Sequence, residues 1–187
     1  VANKSIVDGR DCADPEDAVR ILELCRDRAG QAADLGWTAI TPWRELIAHA
    51  YSSEEALAQL ESVRAVELDY CEETGAWSGV LLLAWLAASL GWKAVEGTFE
   101  HAARNLSVVM RAGREGDTLR LAGDGWETTI AKSRGGETRL SRDGVRSCTV
   151  LPGRTKVELA AEEVGLPGRD DVFEKTFAVA RQIAPRF

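Results

Sequence analysis

From Ala76 to Leu90 the chain reads AWSGVLLLAWLAASL, without one charged side chain. Trp77, Val80, Leu81, Leu82, Leu83, Trp85, Leu86 and Leu90 would point to every side of a helix, and a helix with no polar face belongs inside a fold. The stretch is shorter than the ~20 residues a membrane span needs. Protein must therefore enclose it, and the rest of the chain has to supply the wrapping. With 187 residues there is enough: a chain near ~150 residues already buries roughly 70% of its unfolded surface. Hydrophobic residues at 45% and charged residues at 28% are those of a globular domain and exclude disorder.

Periodicity changes on the far side of this segment, near residue 92. Before it, Lys4–Asp8 reads as a short strand, and Asp14 with Pro15 opens a helix that buries Ala18, Ile21, Leu22 and Cys25 and stops at Gly30. Thr41-Pro42 opens another, with Trp43, Leu46, Ile47, Ala50 and Tyr51 on one face. Ser52 and Glu55 form a capping box for a third that turns Leu57 and Leu60 inward. Alternation over Arg64–Tyr70 predicts a half-buried strand. After residue 92 come short alternating runs at Trp92–Glu100, Asn105–Arg111, Thr118–Ala122, Trp126–Lys132, Thr138–Ser141 and Val145–Leu151. Asp124-Gly125, Gly135-Gly136 and Asp143-Gly144 supply the turns of an antiparallel meander. Thr155 with Glu158, and Asp170 or Asp171, start two closing helices. The second carries Phe173, Phe177, Ala180 and Ile183. The expected fold class is α/β (α+β): a helix-rich part over 1–91 with two short strands and the buried helix, an antiparallel sheet of about five or six strands over 92–151, and two helices over 152–187, all in one domain.

Charge follows the same division. The net charge of −7 is made of −10 over residues 1–103, +5 over 104–156 and −2 over 157–187. An acidic chain argues against general affinity for nucleic acid or membranes. A locally basic sheet serves either to protect its own edges and solvent face or to meet an acidic or phosphorylated partner. No secretory signal opens the sequence at Val1–Lys4, so a cytoplasmic location is expected. Cys12, Cys25, Cys71 and Cys148 form no CxxC pair, and His49 and His101 complete no zinc spacing. Reduced thiols in the core are the plain reading. No phosphate-binding glycine loop and no GxSxG, HExxH or DxDxDG run occurs, and the acidic pairs Glu54-Glu55, Glu72-Glu73 and Asp170-Asp171 stand at helix starts, where the helix dipole favours them. Neither an enzyme nor a cofactor site is announced.

One segment exceeds what a helix entry requires: Asp34-Leu35-Gly36-Trp37-Thr38-Ala39-Ile40-Thr41-Pro42-Trp43-Arg44-Glu45. It resembles the DLxWxRLTPWRE signature of the OpcA family of glucose-6-phosphate dehydrogenase assembly proteins. Ile6-Val7-Asp8 resembles the family's IVDS strand, and Leu82–Trp92 resembles its LLAGWLAxRLGW helix. Glu162-Glu163 with Asp171-Val172-Phe173-Glu174 resembles its EEL…DxxYE ending. The likeness spans essentially the whole sequence, and corresponds to the family's C-terminal domain. Ala39 stands where the family usually has Arg, and Gly9 where it has Ser.

The resemblance implies a non-catalytic protein that binds glucose-6-phosphate dehydrogenase and promotes its assembly or activation in the oxidative pentose phosphate pathway, without cofactor or metal. Among cyanobacterial relatives that activation is tied to thiol redox state. Trp and Arg together mark interface hot spots, so Asp34, Trp37, Thr38, Thr41, Trp43, Arg44 and Glu45 are the expected partner contact, with Arg120 and Arg139 on the basic sheet beside them. The tryptophans are equally at home in a core, and Arg44 would also suit an ion pair with Asp34. Cys12 and Cys71 each follow a strand, and form a redox pair if those strands are parallel neighbours. The alternative function is a sugar-phosphate-binding enzyme or sensor that uses the basic sheet.

Overall fold

The computed structural model describes residues 4–71, 75–95, 98–101, 104–113, 116–166 and 168–187. The chain opens with β1 (Ser5–Val7), a 3-10 turn (Gly9–Asp11) and α1 (Pro15–Ala29), followed by β2 (Ala32–Asp34) and the short α2 (Leu35–Ala39). Then come α3 (Thr41–Ala50), α4 (Glu54–Glu61), β3 (Ala65–Tyr70) and α5 (Gly75–Leu90). Seven strands follow: β4 (Lys93–Val95), β5 (Thr98–His101), β6 (Arg104–Ala112), β7 (Gly116–Gly123), β8 (Trp126–Ser133), β9 (Glu137–Arg142) and β10 (Val145–Val150). The helices α6 (Lys156–Gly165) and α7 (Asp171–Ile183) close the chain.

Local chemistry sets most of these boundaries. The Asp14 carboxylate accepts from the N–H of Asp17 at 2.9 Å, with Pro15 in the first helical position. Thr155 and Glu158 form the capping box of α6. Asp170 accepts from the N–H groups of Val172 and Phe173, both at 2.9 Å. At Asp143 and Gly144 φ is 50° and 82°, the doubly positive pair of a tight hairpin turn. Two helical details depart from the sequence reading. Ser53, not Ser52, caps α4. That register turns Ala56 and Leu60 inward and leaves Leu57 45% exposed. Ile21 likewise lies at the exposed border of α1, where Val19 packs in its stead. The acidic pair Glu72-Glu73 lies outside the described residues.

The main sheet has eight strands in the order β10-β9-β8-β7-β3-β6-β5-β4, more than the five or six expected. Two members account for the difference: the run expected as one strand over Trp92–Glu100 forms two, β4 and β5, and β3 enters between β6 and β7, parallel to the first and antiparallel to the second. The sheet is therefore mixed, and the meander is interrupted at its centre. Register explains the insertion. Leu68 sits opposite Met110 on one side and Leu119 on the other, and Leu119 opposes Ile130, which opposes Leu140. One apolar row thus crosses five strands, and without β3 it would be broken in the middle.

Helix α5 covers that row. Leu81, Leu83, Ala84, Val80 and Ala87 are 0% exposed, and α7 lies along its other side with Phe173, Phe177, Ala180 and Ile183 buried. Gly79 lets the helix come close: a Cβ there would stand 2.9 Å from both the Leu68 Cδ2 and the Met110 Sδ. Trp85, at the border of the helix, is half-buried against the same core. A second, two-stranded parallel sheet of β1 and β2 sits among the helices. Neither β2 nor α2 follows from periodicity, because each is too short to show one. Replacing Leu83 by Ala should lower the unfolding free energy by about 2–5 kcal/mol, the usual cost of a core cavity. Leu57→Ala should change it by less than about 0.5 kcal/mol, and urea unfolding of both variants checks the orientation of α4.

Candidate functional site

Asp34 ends β2, caps α2 and is 0% exposed. Its Oδ1 accepts from the Gly9 N–H at 3.0 Å and the Gly36 N–H at 2.9 Å, and its Oδ2 accepts from the indole N–H of Trp77. Asp34 takes part in no ion pair among the described residues. Burial drives its pKa up, against the pull of those three donors, to about 6. One carboxylate thereby joins the Gly9–Asp11 turn, the start of α2 and the central helix α5. Gly9 is part of the arrangement. A Cβ on it would stand 2.4 Å from the Trp77 Nε1, so the indole reaches Asp34 only because residue 9 has no side chain.

The rest of the DLGWTAITPWRE segment locks the same region to the C-terminal helices. Trp37, 3% exposed, donates its N–H to Asp170 at 2.8 Å and packs 5.6 Å from the Phe173 ring. Thr38 donates its hydroxyl to Glu163 at 2.8 Å, and the other oxygen of Glu163 accepts from Lys4 at 2.7 Å. The Arg44 guanidinium lies 3.5 Å above the centre of the Trp37 ring and donates to the Thr41 hydroxyl at 2.7 Å. Burial lowers the Arg44 pKa. The ion pair of Arg44 with Asp34 does not form, since backbone and indole donors already fill the carboxylate. Of the seven residues expected to meet a partner, Asp34, Trp37, Thr38 and Trp43 lie in the interior, Thr41 and Arg44 are half-buried, and Glu45 is exposed.

Arg120 and Arg139 lie elsewhere. Both alternate with buried neighbours (Leu119 and Leu121, Thr138) and so project from the sheet face opposite α5, which is the open one. Glu45 and Arg44 belong to the helical side, so the structure does not bring the two groups together. Nor is the open face as basic as residues 104–156 suggest. Arg111 pairs with Asp69 at 3.0 Å and Glu67 at 3.2 Å, Arg120 pairs with Glu127 and lies 3.7 Å from Glu67, and Arg139 pairs with Glu137 at 2.7 Å. The acids of β3 come from the acidic half of the chain and are interleaved by strand pairing.

The premise of a redox pair also fails. β1 pairs with β2, whereas β3 lies in the eight-stranded sheet, so the strands preceding Cys12 and Cys71 are not neighbours. All four cysteines are free thiols, and Cys148 is exposed on β10, not in the core. Burial, with nearby aspartates, raises the Cys12 thiol pKa. His49 is exposed, and His101 Nε2 lies 2.7 Å from the Glu61 carbonyl. No cluster of three or more His, Cys, Asp or Glu suited to a metal occurs among the described residues, and no helix among them is long and apolar enough to cross a membrane. The partners Trp77, Glu163 and Asp170 were not foreseen. Only the cap position of Asp170 carried a local signal.

These features define an α/β domain in which a sequence signature joins α2 to the central and C-terminal helices. Residues 30–177 match the family model described as the C-terminal domain of the glucose-6-phosphate dehydrogenase subunit, and the chain belongs to that family, the OpcA family. A Synechocystis sp. protein described as an OxPP cycle protein OpcA is 27% identical over 99 residues, covering 53% of this chain and 21% of that protein. The chain thus matches about a fifth of that relative's length. Among solved structures, an oxidoreductase from Thermotoga maritima superposes with a TM-score of 0.51 at 11% identity, over 92% of this chain and 68% of that one, which shows a shared fold. A 3-ketoreductase from Actinomadura kijaniata in complex with NADP gives 0.49 at 10% identity, over 91% and 64%.

Asp34→Asn would turn an amide N–H₂ toward the Trp77 N–H or toward the two backbone donors, so it should cost about 1–3 kcal/mol in urea unfolding at neutral pH. Because the native pKa of about 6 exceeds the unfolded value near ~3.9, the native state holds the extra proton between these limits. The stability that Asp34 contributes therefore rises as pH falls through about 6. The gap between the parent chain and Asp34→Asn should widen by about 1 kcal/mol from pH 7.5 to pH 5. Gly9→Ser should destabilise by about 1–3 kcal/mol through the clash with Trp77, and Trp77→Phe should recover part of the loss in the double variant.

Proposed function

We propose that this chain binds glucose-6-phosphate dehydrogenase and promotes its assembly or active state, acting as an allosteric activator in the oxidative pentose phosphate pathway and performing no chemistry itself. The observation that carries this reading is the family match over residues 30–177, whose description names a subunit of that dehydrogenase. The OxPP cycle description of the Synechocystis relative supports the same pathway. On this reading residues 1–187 act as one domain in the cytoplasm.

Docking uses the open face of the sheet, through Arg120 and Arg139. That face lies away from α5 and presents charges of both signs, an arrangement suited to fixing register with a complementary surface more than to long-range attraction. Within the signature segment Asp34, Trp37, Thr38 and Trp43 position α3, and a partner meets only Glu45 and the outer edges of Thr41 and Arg44. They form a second, smaller contact on the helical side.

Size-exclusion chromatography of the dehydrogenase with and without this chain tests the reading, and a shift to a larger species with raised dehydrogenase activity is expected. The double variant Arg120→Glu with Arg139→Glu should weaken binding at least about tenfold, whereas Glu45→Lys should weaken it about threefold or less. Failure of the chain to co-elute with the dehydrogenase or to raise its activity would overturn the assignment.

A further inference from the structure

The two edges of the eight-stranded sheet are built differently. β4 is three residues long and opens with Lys93, a common way of blunting an edge. β10, at the other end of the strand order, has six residues (VRSCTV) and every one is exposed, Val145 at 73% and Val150 at 65%. It pairs with β9 residue for residue, without a bulge, contains no proline and carries Arg146 as its one charge. Val145, Thr149 and Val150 are β-branched, a composition suited to pairing on both sides. We propose that β10 pairs antiparallel with β10 of a second copy of this chain, joining two sheets edge to edge about a two-fold axis at Cys148.

The ladder fixes the register. The Leu151 N–H donates to the Gly136 carbonyl at 2.9 Å, so the odd-numbered residues of β10 bond to β9. Arg146, Cys148 and Val150 therefore turn their N–H and C=O groups outward, and two copies meet through these groups. With Cys148 opposite Cys148, Arg146 of each copy faces Val150 of the other, and each facing pair exchanges two hydrogen bonds. Setting Ser147 on the axis leaves Val150 unused, setting Thr149 there leaves Arg146 unused, and setting Arg146 there opposes like charges. The side chains also fit a second copy. Val150 lies beside Glu137 and Cys148 beside Arg139 on the open face, so Arg146 reaches across Val150 of the second copy toward that copy's Glu137. The symmetry repeats this opposite-charge approach on the other side of the axis. Ser147 faces Thr149 of the second copy, a cross-strand pair able to hydrogen-bond. An axis normal to the sheet leaves both open faces on the same side.

The pairing needs no dehydrogenase to be tested. Sedimentation equilibrium of the chain should show a monomer–dimer equilibrium with the dimer dominant at about 50 µM. A short bismaleimide should join Cys148 to Cys148, because hydrogen-bonded partners stand about 5.5 Å apart at Cα. Cys148→Ser should remove that cross-link and keep the dimer. Cys148→Pro deletes an N–H that β9 does not use, and should weaken dimerisation at least about tenfold with thermal melting close to that of the parent chain. Arg146→Glu, which sets like charges beside Glu137 of the second copy, should weaken it at least about threefold, and keeps the test open if proline disturbs the hairpin. A chain that stays monomeric up to about 500 µM overturns the proposal, as does a dimer that both variants leave unchanged. A monomeric chain whose dehydrogenase binding is lost in Cys148→Pro overturns it as well, and gives the edge to that partner.

Discussion

A buried carboxylate that forms no ion pair among the described residues holds this molecule together at Asp34. Removing such a group from water costs several kcal/mol, and here two backbone N–H groups and one indole N–H offset that cost. The geometry demands three things at once. Gly9 must lack a side chain, α2 must begin at Leu35, and Trp77 must face the turn from the first half of α5. The apolar helix that has to be enclosed is thus gripped near its start by a buried polar group. The fixed start of α2 in turn sets where Trp37 and Thr38 meet α7 and α6.

This explains why the signature segment is so specific while most of it lies in the interior. Three of its members have partners far away in sequence: Trp37 with Asp170, Thr38 with Glu163, Asp34 with Gly9 and Trp77. A motif rich in Trp and Arg reads as an interface when its partners are invisible. The same side chains become a joint once α6 and α7 are in place, and Arg44 completes it by covering the indole of Trp37.

Elements with their own caps, turns or period were legible from the residues alone, as Asp14, the Thr155–Glu158 box, Asp143-Gly144 and the Ala76–Leu90 helix show. Pairings decided over long separations were not. Nothing within Ala65–Tyr70 says that it lies between two later strands, and so nothing warned that Glu67 and Asp69 would temper a basic sheet. The cap of α4 shows the finer limit: Ser52 and Ser53 are chemically equal candidates, and packing of Ala56 and Leu60 chose between them.

The central place of β3 also governs the order in which the chain can fold. β6 and β7 are joined by residues 113–115 alone, a length suited to a simple hairpin, yet they never pair with each other. During synthesis residues 65–70 emerge first and must await both partners, while those partners emerge together and can close on one another. A direct β6–β7 hairpin is a kinetic competitor with low loop entropy, and it would expel β3 and with it the helix that follows. The native sheet wins by completing the apolar row through Leu68, so reaching it depends on β3 docking before that local hairpin consolidates.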